Sequence, residues 1–257
     1  MALSTKDCDK IIKKENNTDA RLTICIQNRF NQPIQKLREA VQHNNFGKLH
    51  HGQISVRWNR NDDYYNQAEW RKTWKHDGGA LMNQCSHGID LLQWIMGGNA
   101  KSVYGIIKNL RGIREAEDFG CAIIEFDNNS TGIIEGTVNT YPRNLEMRLS
   151  IFGEKGTVVI GGIAVNYIEI WRINGEEFKE VCVNPQNVYG NGHNLVYNDF
   201  YNAIINNKNP YITPRDGKKA VEIILGVYKS FKMGKKVDFP IDFSTEEMIG
   251  TFRSNES

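Results

Sequence analysis

Asn83, His87 and Asp90 combine residue types and spacing that could carry out proton chemistry. They lie four and three positions apart, so at about 100° per residue they form one row along a helix. An imidazole changes its charge near neutral pH, and a partly covered histidine can therefore exchange a proton with a substrate hydroxyl. A lone histidine on a helix is more often a hydrogen-bonded structural residue, and the spacing alone leaves both interpretations open.

A core-facing helix is predicted to position this row. Gly78 and Gly79 allow a sharp turn, after which apolar residues recur at steps of three and four positions. These residues are Met82, Cys85, Ile89, Leu92 and Met96. The pattern predicts one helix whose apolar stripe packs on a core. The polar row then lies on nearly the opposite side, where Trp94 partly covers it.

The composition is that of a globular protein with ordinary charge. The 257 residues are 40% hydrophobic and 24% charged, enough for one large domain or two modest ones. Lys and Arg are scattered among nearly equal Asp and Glu, and the net charge is +2, so nucleic acid is not an expected partner. No apolar run approaches the roughly 18 residues of a membrane span, and the N-terminus lacks the apolar core of a signal peptide.

The cysteines argue against a disulfide framework and against a metal site. They are odd in number, widely spaced and form no C-x-x-C pair. The five are Cys8, Cys25, Cys85, Cys121 and Cys182. This usage favours a reducing, cytoplasmic location.

The first 47 residues are predicted to be a remnant of a Rossmann α/β domain. Ser4 and Asp7 predict a capped helix over residues 5–15, the apolar run at 22–26 predicts a buried strand, and Pro33 opens a second helix. Helix, strand, helix is typical of a parallel sheet, in which a buried strand needs parallel neighbours. None precedes residue 22, so the rest of that domain is expected to be missing upstream.

Residues 48–257 are predicted to form a second, α+β domain. Alternating runs at 54–59, 103–110, 120–126, 131–139, 147–153, 157–161 and 168–173 predict a large, mostly antiparallel sheet. The Asn174-Gly175 pair is typical of a type I′ hairpin, and helices are predicted at 193–206 and 217–233. A long polar and aromatic loop, residues 59–77, precedes the central helix and is typical of a binding element.

No phosphate-binding glycine loop is found in the sequence. The pattern G-x-G-x-x-G does not occur, and the nearest candidate, Gly190-Asn191-Gly192, lacks a strand before it. We interpret this tripeptide as a loop hinge.

The central segment resembles the signature of a known enzyme family. Gly78-Gly79-Ala80, followed by Asn83, His87 and Asp90, is similar to the GGG-x-x-x-D-x-x-x-H pattern of the glucose-fructose oxidoreductase and inositol dehydrogenase (Gfo/Idh/MocA) family. The resemblance implies that the histidine helps to move a hydroxyl proton while NAD or NADP exchanges a hydride.

One branch of this family resembles the chain most. The branch is the UDP-N-acetylglucosaminuronic acid 3-dehydrogenases, and the similar runs are residues 27–31, 56–58, 64–65, 70–71, 80–84, 153–157, 162–171 and 188–193. The resemblance implies an NAD-dependent oxidation at C3 of a UDP-N-acetylhexosaminuronic acid, in the biosynthesis of bacterial surface polysaccharides such as lipopolysaccharide. It also suggests a homo-oligomer formed through the antiparallel sheet.

Site residues follow from the resemblance, position by position. His87 and Asn83 are the expected catalytic residues, although Asn83 stands where many relatives have Asp, and an amide cannot act as a base. The expected substrate-binding residues are Asn28, Arg29, Arg71, Tyr141, Tyr189 and His193, and the expected cofactor-binding residues are Gln27, Asn28, Trp70 and Arg71. A loop salt bridge is an equal alternative for Arg71, and ordinary packing is an alternative for Tyr141, Tyr189 and His193.

The resemblance also predicts that this chain is inactive alone. Met1-Ala2-Leu3-Ser4 is similar to the residues that follow a Glu-Lys-Pro tripeptide in the family, whose catalytic lysine would then lie upstream of Met1. Two alternatives stay open: a structural or oligomer-forming fragment, and a family member acting on inositol or a simple sugar.

Overall fold

A nine-stranded sheet with its long helices packed on one face is the frame of this protein. The computed structural model describes residues 1–180, 185–190 and 192–252. The helices are α1 (Thr5–Asn16), α2 (Gln32–Gln42), α3 (Asp62–Asn66), α4 (Ala80–Asn83), α5 (Ser86–Met96), α6 (His193–Ile205) and α7 (Pro214–Met233). Short 3₁₀ helices lie at Gln27–Phe30, Glu69–Lys72 and Thr245–Met248.

The strands are β1 (Leu49–Arg57), β2 (Ala100–Lys108), β3 (Phe119–Phe126), β4 (Thr131–Thr137), β5 (Glu146–Gly153), β6 (Gly156–Gly161), β7 (Tyr167–Ile173), β8 (Glu176–Phe178) and β9 (Val237–Asp238). Their spatial order is β8-β7-β6-β5-β1-β4-β3-β2-β9. After the central strand β1, the chain continues near one edge of the sheet, returns to the centre and then runs to the opposite edge. Strand β1 lies between β4 and β5. It pairs parallel with β4 and antiparallel with β5, and all other neighbouring strands pair antiparallel. The predicted α+β fold with a large, mostly antiparallel sheet is confirmed.

Register shows which face of the sheet is buried. Ile54 on β1 lies opposite both Ile134 and Leu149, and all three are fully buried. Helices α2, α5 and α7 pack over this face, with Gly88 of α5 so close to Ile54 that a Cβ atom would lie 2.9 Å from the Ile54 side chain. The absence of a side chain at Gly88 therefore lets α5 lie directly on β1.

The opposite face of the sheet carries exposed apolar side chains. Tyr104 and Ile106 on β2, and Ile123 on β3, are each at least two-fifths exposed. The Arg57 guanidinium pairs with Glu135 and Glu146 on the neighbouring strands. This face is uncovered in the single chain.

The central helix is interrupted, which the sequence pattern did not predict. Helix α4 ends at Asn83 and α5 begins at Ser86, and the Cys85 amide still bonds the Ala80 carbonyl across the break. The apolar stripe crosses the interruption intact, since all five of its residues are buried. The break turns the polar row, so that Asp90 is fully buried while Asn83 and His87 keep partial exposure.

The predicted strand at residues 22–26 is wrong. Among the described residues this segment pairs with no strand; the Ile24 amide and the Thr23 hydroxyl donate to the Ile212 carbonyl, and the chain then enters the 3₁₀ helix at Gln27. A short apolar run does not by itself specify a strand, and here Ile24 packs against Gly217 of α7. Helices α1 and α2 are confirmed, with Ser4 capping α1 through the Asp7 amide.

Residues 1–47 and the sheet share one apolar core. Cys8 of α1 and Ile34 and Leu37 of α2 are fully buried in the same cluster as the residues of β1 and α5. The domain boundary at residue 47 stays a prediction. In the part of the chain that the structure describes, no helix has both the length and the apolar character needed to cross a membrane.

Candidate functional site

A pocket of about 190 Å³ lies where the 3₁₀ helix Gln27–Phe30, the end of β1, the loop after it and the start of α5 converge. It is lined by Gln27, Asn28, Trp58, Arg60, Tyr64, Arg71, Asn83, Gln84, His87, Val188 and Tyr189. Six of these residues were predicted as site residues from the sequence: Gln27, Asn28, Arg71, Asn83, His87 and Tyr189. The fold therefore brings together side chains up to 162 positions apart.

His87 is the titratable group of this pocket. Its Nδ1 atom is buried and has no hydrogen-bond partner among the described residues. Burial, and to a smaller extent the charges of His193 and of the amino terminus, lower the pKa of His87 from 6.5 to about 4. The imidazole is therefore neutral at physiological pH and free to accept a proton.

Asn83 is held by a buried carboxylate behind the pocket. Its Nδ2 donates to Asp77, which is 5% exposed, and its Oδ1 accepts from Gln84 Nε2 at 3.0 Å. Burial raises the pKa of Asp77 to about 7, which the Asn83 hydrogen bond opposes. The Asn83 amide is fixed in one orientation, since its oxygen and nitrogen have different partners.

Tyr64 lies between two arginines at one wall of the pocket. The Arg71 guanidinium carbon is 4.3 Å and the Arg60 guanidinium carbon 5.1 Å from the centre of its ring. The Tyr64 hydroxyl accepts hydrogen bonds from Arg71 and from Gln84 Nε2, while Arg60 Nε donates to Gln84 Oε1 at 2.8 Å. These contacts order three long side chains that the sequence places in a loop.

The opposite wall is formed by Gln27 and Asn28. Gln27 Nε2 donates to the Tyr189 carbonyl and Asn28 Nδ2 donates to the Ala164 carbonyl, each at 3.3 Å. Gly192 passes so close to the Gln27 carbonyl that a Cβ atom would lie 2.3 Å from it. Gly192 is thus a close-packing glycine, in agreement with the interpretation of its segment as a loop; Asn191 lies outside the described residues.

Arg29 lies beneath the pocket and does not line it. It is 1% exposed, and its Nε and Nη2 atoms donate to the two carboxylate oxygens of Asp90, both at 2.7 Å. Asp90 follows His87 by about one turn of α5, and Arg29 follows Gln27 and Asn28 directly. The ion pair therefore joins the two walls. The direct substrate contact predicted for Arg29 does not fit a side chain so buried.

Three other predicted residues lie outside the pocket lining. Tyr141 is 93% exposed, Trp70 is 44% exposed and stacks on Arg71, and His193 begins α6 with its ring 6.1 Å from that of Tyr189. Of these, only His193 acts on His87, through its charge. Their predicted roles remain predictions.

Sequence reasoning missed five lining residues: Trp58, Arg60, Tyr64, Gln84 and Val188. Arg60 and Tyr64 belong to the loop that was expected to bind a ligand, and its density of aromatic and arginine residues was the available signal. Val188 carries no such signal. Among the described residues, no cluster of His, Cys, Asp or Glu could hold a metal ion.

Comparison with known protein families places this fold among oxidoreductase C-terminal domains. A family model described as the oxidoreductase family, C-terminal alpha/beta domain, matches residues 38–239. The chain belongs to this family, Gfo/Idh/MocA, which confirms the resemblance seen in the sequence.

Two solved structures and one curated relative are similar to this chain. WlbA dehydrogenase from Bordetella pertussis, in complex with NADH and UDP-GlcNAcA, is 35% identical with a TM-score of 0.84, over 94% of this chain and 70% of that one. WlbA from Chromobacterium violaceum, with the same ligands, is 34% identical with a TM-score of 0.84, over 95% and 70%. The scyllo-inositol 2-dehydrogenase (NAD(+)) of Bacillus subtilis is 25% identical to this chain. The match covers 65% of this chain and 49% of that relative.

We expect Arg29→Met to lower the free energy of unfolding by about 3–5 kcal/mol, because it leaves the Asp90 carboxylate buried and unpaired. The double variant Arg29→Met/Asp90→Leu should recover most of this loss. Urea unfolding measures both. The control is Arg172→Met, which breaks an exposed ion pair with Glu177. The two side chains are 59% and 64% exposed, so the loss should be less than about 1 kcal/mol. A loss of less than about 1 kcal/mol in Arg29→Met would contradict the interpretation of Arg29 and Asp90 as a buried ion pair.

His87 should titrate near pH 4 in the folded protein, below its ordinary pKa of 6.5. Folding then favours the neutral form, so this stabilisation is complete above about pH 6.5 and is lost as the pH falls toward 4. In His193→Gln the pKa of His87 should rise but stay below 6.5, since burial is the larger cause. Imidazole NMR resonances report the titration, and His43→Gln, at the exposed end of α2, should leave it unchanged.

Proposed function

We propose that this chain is the substrate-binding part of an NAD-dependent dehydrogenase that oxidises a UDP-N-acetylhexosaminuronic acid at C3. The observation that carries the proposal is His87, a neutral imidazole in the wall of a sugar-sized pocket. The two WlbA relatives, each in complex with NADH and UDP-GlcNAcA, support the substrate class. Because the chain spans only part of its relatives, the activity belongs to the whole protein.

In this proposal His87 accepts the proton of the C3 hydroxyl. The hydride of the same carbon passes to NAD, so that C3 becomes a ketone and NADH forms. Asn83 cannot take a proton, but its fixed amide can orient the hydroxyl. An anionic substrate in the pocket would raise the pKa of His87 toward the range useful for proton transfer.

The pocket fits one ring rather than a whole dinucleotide or nucleotide-sugar. Its volume of about 190 Å³ is below the roughly 300–1,000 Å³ of sites that enclose drug-sized ligands. Gln27 and Asn28 supply amide groups that suit the nicotinamide end of the cofactor, while Tyr189, 60% exposed at the rim, could stack on the nucleotide. Trp70 remains a proposed contact to the cofactor, and Arg71 remains a proposed contact to the substrate or the cofactor.

A polyol such as inositol is the second candidate substrate. The Bacillus subtilis scyllo-inositol 2-dehydrogenase supports it, and a cyclic polyol would fill a pocket of this size without reaching the rim. The two candidates differ in the nucleotide, which only the first substrate carries.

UDP should raise the melting temperature of this chain, and myo-inositol should not. A ligand at 100 times its Kd stabilises a protein by about 2.7 kcal/mol. Tyr189→Ala should reduce the shift, while Tyr201→Ala, an equally exposed tyrosine on α6, should not. A response to inositol without a response to UDP would favour the second candidate.

We also propose that the uncovered face of the sheet joins copies of this chain, in the cytoplasm, where surface polysaccharide precursors are made. Tyr104, Ile106 and Ile123 form its apolar part. Sedimentation equilibrium at micromolar concentration should give a mass above that of one chain, and Ile123→Glu should lower it, because it places a charge in the contact. A monomeric parent protein would contradict this arrangement.

A further inference from the structure

The pocket that holds His87 is cationic. Arg60 and Arg71 both line it, and none of the lining residues that the structure describes is Asp or Glu. The buried Asp77 lies behind Asn83, whose Nδ2 donates a hydrogen bond to it, and is 5% exposed. A ligand that enters here meets two guanidinium groups without a competing carboxylate.

Neither guanidinium forms an ion pair with an acidic residue in the part of the chain that the structure describes, although Arg71 attracts the more distant Asp77 carboxyl through its charge. The hydrogen-bond acceptors of Arg60 and Arg71 within the described residues are neutral: carbonyl, amide and phenol oxygens. Among the described residues the buried Arg71 Nε atom also has no hydrogen-bond partner. Both guanidinium groups therefore bring a positive charge to the pocket lining that no carboxylate of the lining balances.

Stacking on Tyr64 prepares both groups for a planar anion. The guanidinium carbons of Arg71 and Arg60 lie 4.3 Å and 5.1 Å from the centre of the Tyr64 ring, and the Tyr64 hydroxyl accepts a hydrogen bond from Arg71. Guanidinium groups bind carboxylates through paired N–H donors, and side chains that are already ordered lose less entropy on binding.

The size of the pocket places the anion on the sugar ring. A volume of about 190 Å³ accepts the ring and leaves the diphosphate of a nucleotide-sugar outside. The anionic group beside the arginines must then be a substituent of the ring itself.

We infer that Arg60 and Arg71 bind the ring carboxylate of a uronic acid and select it over the matching neutral sugar. This inference rests on the proposed function, because it names the feature of the substrate that the same pocket recognises. A neutral polyol leaves both charges without a counterion, so the subsite also discriminates against inositol.

Four ligands test the inference on this chain by calorimetric titration. They are N-acetylglucosamine, N-acetylglucosaminuronic acid and the UDP derivatives of both. The members of each pair differ only by a carboxylate in place of a hydroxymethyl group. We expect the carboxylate to tighten binding about tenfold in both pairs.

Arg71→Gln and Arg60→Gln should remove the preference for the carboxylate and change the affinity for the neutral sugar less than about threefold. Lys72→Gln removes the same charge from the same 3₁₀ helix, outside the pocket lining, and should keep the preference. Loss of the preference in Lys72→Gln as well would reduce the effect to long-range charge and overturn the subsite. Circular dichroism of each variant confirms that the fold is intact.

The outcomes separate the inference from the proposed function. A carboxylate preference without any gain from UDP supports the subsite and contradicts the nucleotide-sugar substrate. A gain from UDP without a carboxylate preference supports that substrate and overturns the subsite. Absence of binding by all four ligands would overturn both.

Discussion

The buried ion pair between Arg29 and Asp90 is the contact on which the geometry of the site depends. Both side chains are almost completely removed from water, where an unpaired charge would cost several kcal/mol. The Asp90 carboxylate therefore requires Arg29, which also lies 3.7 Å from an oxygen of the partly exposed Asp216. The pair ties the 3₁₀ helix Gln27–Phe30 to α5, and Trp94 packs between Arg29 and Arg38 at 4.8 Å from each guanidinium carbon. The two walls of the pocket cannot separate without exposing or isolating these charges.

The same burial determines the chemistry of His87. A cationic imidazole is unfavourable in this poorly solvated pocket, and the charges of His193 and of the amino terminus disfavour it further, so the neutral base is the resting form. An anionic substrate, as proposed, would reverse part of this penalty by adding negative charge and would thereby raise the pKa of His87.

The fold was largely predictable because its signals are local. Alternation along β2 to β7, the Asn174-Gly175 turn, and the caps of α1 and α7 each depend on residues within a few positions of one another. The strand predicted at residues 22–26 was wrong because these five residues satisfy the pattern of a strand but have no neighbouring strand to pair with among the described residues. The interruption between α4 and α5 was not predicted because the apolar stripe continues across it.

The sequence by itself was enough to predict the family, the sheet and the row of Asn83, His87 and Asp90, because each depends on residue spacing or on a local pattern. Only the tertiary structure decided what these residues do. Asp90 pairs with Arg29 from 61 positions away and is withdrawn from the pocket, whereas Arg60 and Tyr64 reach it from a loop. The pKa of His87 likewise depends on burial and on His193, more than 100 positions distant. Long-range burial and charge pairing leave no local periodicity, and they are what converts a polar row into a site.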